Sequence, residues 1–286
     1  MCKKMLYCFI SMSFFFMSFF SIGKTESVEY YSNRADINKV QVLVIQIPGV
    51  KRNAKEYNQQ LAFLPSKKYL VLTPKFSFVS WPKSTFIQGN KSKTFPYHSS
   101  FSDLDHKIKS VLEIHHNIKK IIIVGHSAGA QLLQRYLALS NMPYELSLNK
   151  KYKTKFIIIS PGTFMYFSKY RPIKNDHCPK FNNYKYGMEH LNHYGKKHAD
   201  TIVSRYLSLD IIYMVGSLDI KRGGNLLKNC KADMQGKNRK QRSENFVRYL
   251  NDTYKQKNKL IILPNVPHNY KKVFQSHALR QVLLNI

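Results

Sequence analysis

A serine near the middle of the chain has surroundings that suit a nucleophile. Ser127 is the central residue of the pentapeptide GHSAG at 125–129. The apolar residues 121–124 before it predict a buried strand, and residues 130–139 after it predict a helix. A G-x-S-x-G pentapeptide between a strand and a helix holds its serine on a sharp turn with the hydroxyl exposed. The pattern predicts attack by Ser127 on an acyl group, whereas a serine that only caps the helix is the alternative.

Acyl transfer by such a serine places demands on nearby backbone groups. Gly125 and Gly129 lack side chains that would collide with the strand and helix at a sharp turn. The oxyanion formed during the reaction needs two hydrogen-bond donors. We assign these donors to the backbone N–H of Ala128 and the backbone N–H of Val50, which follows an earlier predicted strand. Pro48 precedes Val50 in the same loop but has no N–H to donate.

A serine at neutral pH also needs a base and an acid that orients the base. Asp219 comes after the apolar run 209–215, and His268 comes after the apolar run 260–263. Both side chains should therefore emerge at the carboxyl ends of strands, at the same sheet edge as Ser127. The sequence predicts a catalytic triad of these three residues.

Other acids and histidines fit these roles less well. Asp210 lies at the amino end of its predicted strand, and Asp200 and Asp233 follow no predicted strand. His277 lies within an amphipathic helical stretch. The side chain of His126 is expected to point away from the serine hydroxyl, although it neighbours the serine in sequence.

The remaining chain supplies the elements that must position these residues. Short runs rich in Ile, Val and Leu predict buried strands at 41–47, 69–73, 120–124, 156–160, 209–215 and 260–263. Helical periodicity is clearest at 54–64, 101–116, 131–139, 242–254 and 271–284. The alternation predicts an α/β fold with a doubly wound, mostly parallel sheet.

Residues 161–208 interrupt this alternation and predict a lid-like excursion over the strand ends. The segment contains Cys178, four histidines and many aromatic residues. Its aromatic residues between Phe164 and Tyr186 would either line an apolar acyl pocket or pack the excursion against the sheet. Both alternatives stay open on the sequence alone.

The N-terminus has the layout of a secretory signal peptide over residues 1–23, followed by one domain at 24–286. Lys3 and Lys4 precede a Phe-rich apolar run that ends at small residues. An uncleaved membrane anchor is the alternative. Either layout predicts an exported domain, whether periplasmic, secreted or at the cell surface. Cys178 and Cys230 then form one disulfide or remain two buried thiols.

The composition describes a globular, strongly basic chain of 286 residues. Lys and Arg number 46 against 16 Asp and Glu, for a formal charge of +30. This balance excludes an acidic binding module. The charges are scattered along the chain, which indicates a compositional bias and predicts no specific nucleic-acid partner. Attraction to an anionic membrane surface is consistent with the charge.

Four segments together resemble a known family. The loop 48–57 is similar to an H-G-x-x-R-N-A-x-x-Y pattern, with Pro48 in place of its histidine, and 125–131 reads GHSAGAQ. Residues 216–219 match the acid turn, and 234–242 resemble a Q-G-x-x-R-x-x-R segment. The chain thus resembles α/β-hydrolases, and within them the poly(3-hydroxyalkanoate)-depolymerase-like esterase branch.

This resemblance implies hydrolysis of an ester or a related acyl compound without a metal or other cofactor, and it does not name the acyl group. The predicted export and the aromatic residues of the excursion favour a small-molecule or lipid-like ester. It places Arg239 and Arg242 at the border of the site, where they either clamp a loop or hold a substrate carboxylate. The histidines at 190, 193 and 198 lack H-E-x-x-H spacing, so no metal site is predicted. The alternatives are a serine peptidase or amidase on the same fold, and a catalytically idle, basic surface-binding protein.

Overall fold

The computed structural model describes residues 28–285 except 34 and 37, so the predicted signal peptide lies outside the described residues. Within these residues seven strands form one sheet, in the order β1-β3-β2-β4-β5-β6-β7. The strands are β1 (Glu29–Ser32), β2 (Val42–Ile47), β3 (Tyr69–Lys75), β4 (Lys120–His126), β5 (Lys153–Ile159), β6 (Ile211–Gly216) and β7 (Lys259–Leu263). β1 is antiparallel to β3, and the other neighbouring strands are parallel. The predicted α/β class with a mostly parallel sheet is confirmed.

Helices cover both faces of this sheet. They are α1 (Ala54–Gln59), α2 (Lys83–Gln88), α3 (Ser100–Ile114), α4 (Ala128–Leu139), α5 (Met142–Leu148), α6 (Ile202–Leu207), α7 (Cys230–Asp233), α8 (Arg239–Tyr254), α9 (Tyr270–Gln275) and α10 (His277–Leu284), with a 3-10 turn at Gly195–His198. In the part of the chain that the structure describes, no helix combines the length and apolar character needed to cross a bilayer.

The central strands are buried on both faces, which explains their unbroken apolar runs. Ile121 and Ile123 of β4 pack into an apolar layer shared with α3, α4 and α8. Ile122 and Val124 pack into the opposite layer, shared with α1, α9 and α10. All four side chains are fully buried. The sheet is therefore doubly wound, as predicted.

Several helix boundaries differ from those that the periodicity predicts. α8 begins at Arg239, three residues earlier than predicted, because the Asn238 side chain accepts a hydrogen bond from the Gln241 N–H at 2.9 Å. The predicted helix at 54–64 ends at Gln59. The predicted helix at 271–284 is two helices, because Ser276 adopts an extended backbone between α9 and α10.

Residues 161–208 pack against the helices on one face of the sheet. Phe164 stacks on Phe246 of α8 with ring centroids 4.1 Å apart, and both rings are fully buried. The buried guanidinium of Arg135, on α4, donates to the Thr163 hydroxyl and the Lys185 carbonyl. The excursion is thereby joined to α4 and α8 by apolar and polar contacts.

Candidate active site

Ser127 forms a strained turn between β4 and α4. Its backbone angles are φ 57° and ψ −111°, in a region that residues with a side chain rarely adopt. A Cβ on Gly125 would lie 2.5 Å from the Gly129 carbonyl oxygen, and a Cβ on Gly129 would lie 2.2 Å from the Ile47 carbonyl oxygen. Both approaches are closer than any side chain permits, so the turn requires glycine at both positions.

The three residues of the predicted triad form a continuous hydrogen-bonded chain. The Nε2 of His268 lies 2.9 Å from the Ser127 Oγ, and its Nδ1 lies 2.7 Å from Oδ2 of Asp219. The Asp219 side chain is 1% exposed, whereas the His268 side chain is 26% exposed. The Asp219 carboxylate is thus shielded from water beneath the His268 ring, which faces the cleft.

Contacts between two loops hold the acid and the base together. Asp219 follows β6 and His268 follows β7, which is the neighbouring strand of the sheet. The N–H of Leu218 donates to the Val266 carbonyl at 3.1 Å. A Cβ on Gly216 would lie only 2.0 Å from that same carbonyl oxygen. Glycine at 216 therefore lets the two loops approach closely enough to pair.

Two arginines of α8 have different surroundings. Arg239 lies beside Asp219, with its Nη1 atom 3.7 Å from Oδ1 of that carboxylate. Arg242 is fully buried and donates to three loop carbonyls, those of Gly162, Leu227 and Gly236, at 2.5 to 2.8 Å. Arg242 thus clamps loops, whereas Arg239 borders the cleft. Burial lowers the pKa of Arg242 to about 10, so it stays charged at neutral pH.

The two assigned oxyanion donors belong to the serine turn and to the loop after β2. Ala128 is the first residue of α4 and is buried, and Val50 lines the cleft after β2. The first N–H groups of a helix have no partner within it, and they favour negative charge. Gly49 approaches the serine turn closely, because a Cβ there would lie 3.5 Å from the Cβ of Ser127.

A buried histidine and a tyrosine connect the serine turn to the base. The Nδ1 of His126 lies 2.8 Å from the hydroxyl of Tyr57, and the His126 ring stacks on the His268 ring. His126 Nε2 is buried without a hydrogen-bond partner among the described residues. The sequence alone indicates no role for either side chain in the site, because only the folded chain brings them together with His268.

An open cleft of about 500 Å³ surrounds Ser127. Its walls come from the loop after β2, the serine turn, the loop after Asp219, the start of α8 and the loop after β7. The lining residues are Gly49, Val50, Lys51, Asn53, Tyr57, His126, Ser127, Lys221, Gly223, Gly224, Asn225, Arg239, His268, Asn269 and Tyr270.

The cleft differs from the expected pocket in its walls. None of its lining residues, in the described part of the chain, belongs to the excursion 161–208. Phe164 and Tyr166, for which the sequence left open a pocket-lining or a packing role, are fully buried against Phe246. These two rings therefore pack the excursion against α8, which is the second alternative. The loop at 221–225 borders the serine in place of the excursion.

The other acids and the histidine considered for the triad lie away from Ser127. Asp210 precedes β6, at the opposite edge of the sheet, and pairs with Lys155. Asp233 pairs with Arg222 and Arg242. His277 begins α10. Over the described residues, no group of three or more His, Cys, Asp or Glu side chains is arranged to hold a metal ion.

Cys178 and Cys230 form a disulfide, with their Cα atoms 5.7 Å apart. The sequence left this bridge open against two free thiols. It joins the excursion 161–208 to the first residue of α7. The bridge and the Arg242 clamp therefore both hold the region next to the acid turn.

Solved structures with a similar fold include two polymer-degrading enzymes. A poly(3-hydroxybutyrate) depolymerase, LpqC from Bordetella parapertussis, matches with a TM-score of 0.68 and 18% identity, over 90% of this chain and 83% of that chain. Poly(aspartic acid) hydrolase-1 from Sphingomonas sp. KT-1 matches with a TM-score of 0.65 and 22% identity, over 90% and 92%. No family model and no curated protein matches the sequence. The chain has the α/β-hydrolase fold, so the predicted resemblance is confirmed at the level of the fold.

Proposed function

We propose that this protein is a serine hydrolase that cleaves carboxylic esters through an acyl-enzyme on Ser127. The observation that carries the proposal is the hydrogen-bonded chain from Ser127 through His268 to Asp219, with both contacts under 3 Å. Hydrolysis as a general class is supported by the similar folds of a depolymerase and a poly(aspartic acid) hydrolase.

The geometry supports a two-step reaction. The Ser127 hydroxyl attacks the ester carbonyl carbon while Nε2 of His268 takes its proton. The backbone N–H groups of Val50 and Ala128 stabilise the oxyanion of the tetrahedral intermediate. His268 then gives the proton to the leaving alcohol, and the acyl group stays on the serine. A water molecule, deprotonated by the same imidazole, attacks the acyl-enzyme, and the acid is released.

Asp219 serves the base by orientation and charge. Its Oδ2 accepts the hydrogen bond from the Nδ1–H of His268, which leaves Nε2 free to take the serine proton. A buried carboxylate beside the ring stabilises the imidazolium that forms during attack. Arg239 lies 3.7 Å from the other oxygen of this carboxylate.

A substrate panel tests the reaction class. Short-chain and long-chain p-nitrophenyl esters would be compared with peptide p-nitroanilides. We expect ester turnover that Ser127→Ala abolishes and that Ser204→Ala, a control at an exposed serine of α6, retains. Amide cleavage with negligible ester turnover would instead assign a serine peptidase or amidase. No turnover and no labelling by a phosphonate serine probe would indicate a catalytically idle, basic binding protein.

We further propose that the protein is exported and loses residues 1–23. The Cys178–Cys230 disulfide supports an oxidising compartment, because such bridges are rare in the cytosol. Sequencing the N-terminus of the chain recovered outside the cytoplasm tests this proposal. A new N-terminus near residue 24 is expected, whereas an intact Met1 on a membrane-bound chain would indicate an anchor.

A lipid-like ester at an anionic surface fits the rim of the cleft. Leu218 and Ile220 flank Asp219 and are 47% and 54% exposed, and Phe78 and Val79, which follow β3, are 60% and 74% exposed. Apolar side chains near the strand ends can enter a membrane interface. The exported chain without Lys3 and Lys4 keeps 44 Lys and Arg against 16 Asp and Glu, and this excess favours an anionic interface. Added salt should then lower hydrolysis on anionic vesicles more than hydrolysis of soluble esters. Equal loss on both substrates would contradict the membrane proposal.

A further inference from the structure

Basic side chains line the cleft around Ser127, and no acidic residue does so in the described part of the chain. Lys51, Lys221 and Arg239 belong to the lining, and the Asp219 carboxylate is buried beneath it. The cleft therefore presents positive charge next to the reacting serine. Low-dielectric walls strengthen such a field relative to open water.

The two lysines lie on opposite sides of the serine. Lys51 follows β2, Ser127 follows β4, and Lys221 follows β6. In the sheet, β4 stands between β2 on one side and β5 and β6 on the other. All three residues come after the carboxyl ends of parallel strands, so they share one sheet edge. A substrate bound across the serine turn therefore has one lysine on each side of its scissile carbonyl.

The surrounding charges leave both lysines available for a ligand. Within the described residues, neither Lys51 nor Lys221 makes an ion pair, and both are exposed. Arg239 already faces Asp219 at 3.7 Å. Glu56 is the acid beside the Lys51 side of the cleft, and its carboxylate accepts a hydrogen bond from the Tyr270 hydroxyl. That hydrogen bond is the largest cause that lowers the pKa of Glu56, and the charge of Lys51 is among the smaller ones, so Lys51 is attracted to Glu56 without forming an ion pair with it.

We infer that the cleft selects anionic acyl substrates, in which a carboxylate on the acyl side or the alcohol side of the scissile ester pairs with Lys51 or Lys221. This inference rests on the proposed function, since it names the substrate class of the same site. Each lysine is exposed, so each pairing should change kcat/KM about two- to fivefold. The net charge of the whole protein would add a further preference that does not depend on these two positions.

Two matched pairs of esters test the inference. Phenyl succinate and phenyl succinamate differ by a carboxylate on the acyl side, and O-butyryl glycolate and O-butyryl glycolamide differ on the alcohol side. The measured quantity is the ratio of kcat/KM for the carboxylate ester to that for its carboxamide partner. We expect ratios above one for the wild type, falling as salt is added. Lys51→Gln should lower the ratio in one pair, and Lys221→Gln should lower it in the other.

Lys150→Gln is the matched control, because Lys150 is exposed just before β5, at the opposite edge of the sheet. It should leave both ratios unchanged. Ratios at or below one in the wild type would overturn the inference, and so would an equal loss from all three lysine variants. If Lys51→Gln and Lys221→Gln both lower the kcat/KM ratio in the same pair of esters, the placement of one lysine on each side of the scissile ester is wrong. Hydrolysis of p-nitrophenyl esters but of none of these four esters would overturn the inference alone. Failure to hydrolyse the p-nitrophenyl esters as well would overturn the proposed function, which separates the two results.

Discussion

The ring of His126 stacks on the ring of His268, with centroids 5.0 Å apart and planes inclined by 26°. The His126 ring is itself held in place, because its Nδ1 is hydrogen-bonded to the Tyr57 hydroxyl. The Tyr57 ring in turn stacks on the ring of Tyr270. His126 precedes Ser127 and touches His268, so it couples the serine turn to the loop after β7. The stack gives the His268 ring a rigid surface to lie against.

His126 should make the stability of the protein sensitive to acid. Burial, followed by the positive charges of His268 and Arg239, holds the pKa of His126 well below its ordinary value. The folded chain therefore keeps this ring neutral while the unfolded chain gains a proton below about pH 6.5. Stability should fall there by up to about 1.4 kcal/mol per pH unit from this group. Between pH 6.5 and 5, His126→Asn should lose less stability than the wild type.

Urea unfolding at several pH values measures this difference. The difference in the free energy of unfolding between wild type and His126→Asn at pH 8 is the reference, because there the histidine ring is neutral in the folded and the unfolded chain. Parallel stability curves for wild type and His126→Asn over the acid range would show that the ring takes up its proton without unfolding.

Arg242→Lys should destabilise the fold. A lysine has one nitrogen and cannot replace a guanidinium that donates to three buried loop carbonyls. We expect a loss of about 2–4 kcal/mol in the free energy of unfolding. Arg248→Lys is the matched control, because Arg248 is exposed on the same helix. If Arg242→Lys unfolds at the same midpoint as Arg248→Lys, the hydrogen bonds of Arg242 to the loops do not stabilise the fold.

Loss of the disulfide should also lower stability. The bridge closes a loop over a sequence separation of 52 residues, so its removal frees the unfolded chain. Replacing Cys178 and Cys230 together by alanine should lower the free energy of unfolding by about 2–4 kcal/mol. A reducing agent should shift the wild-type unfolding midpoint and leave that of the double variant unchanged. If the reducing agent leaves the wild-type unfolding midpoint unchanged, the disulfide does not stabilise the fold.

Local patterns in the sequence were enough to place the serine, the acid and the base. Ser127 lies within one continuous strand-turn-helix segment, and Asp219 and His268 each follow a recognisable apolar run. Parallel strands bring such positions to one edge of the sheet, so no long-range contact had to be known. The resemblance to a family further indicated the arginine segment at the start of α8.

Features that depend on packing between distant segments could not be predicted in the same way. The antiparallel strand β1 is short and mixes polar with aromatic residues, so it has no clear pattern. The aromatic residues of 161–208 were equally compatible with a pocket and a core, and only the rings of α8 decide between them. Which arginine clamps loops and which borders the cleft depends on how α8 packs on the acid turn.

The central claim is that Ser127 is the nucleophile, activated by His268. Labelling with a fluorophosphonate probe, followed by mass spectrometry of the digested protein, tests it most directly. We predict one phosphonyl group per molecule on the peptide that contains Ser127, none at that site in Ser127→Ala, and labelling slowed by at least about a thousandfold in His268→Ala. A label on another residue, or equally fast labelling without His268, would contradict the account.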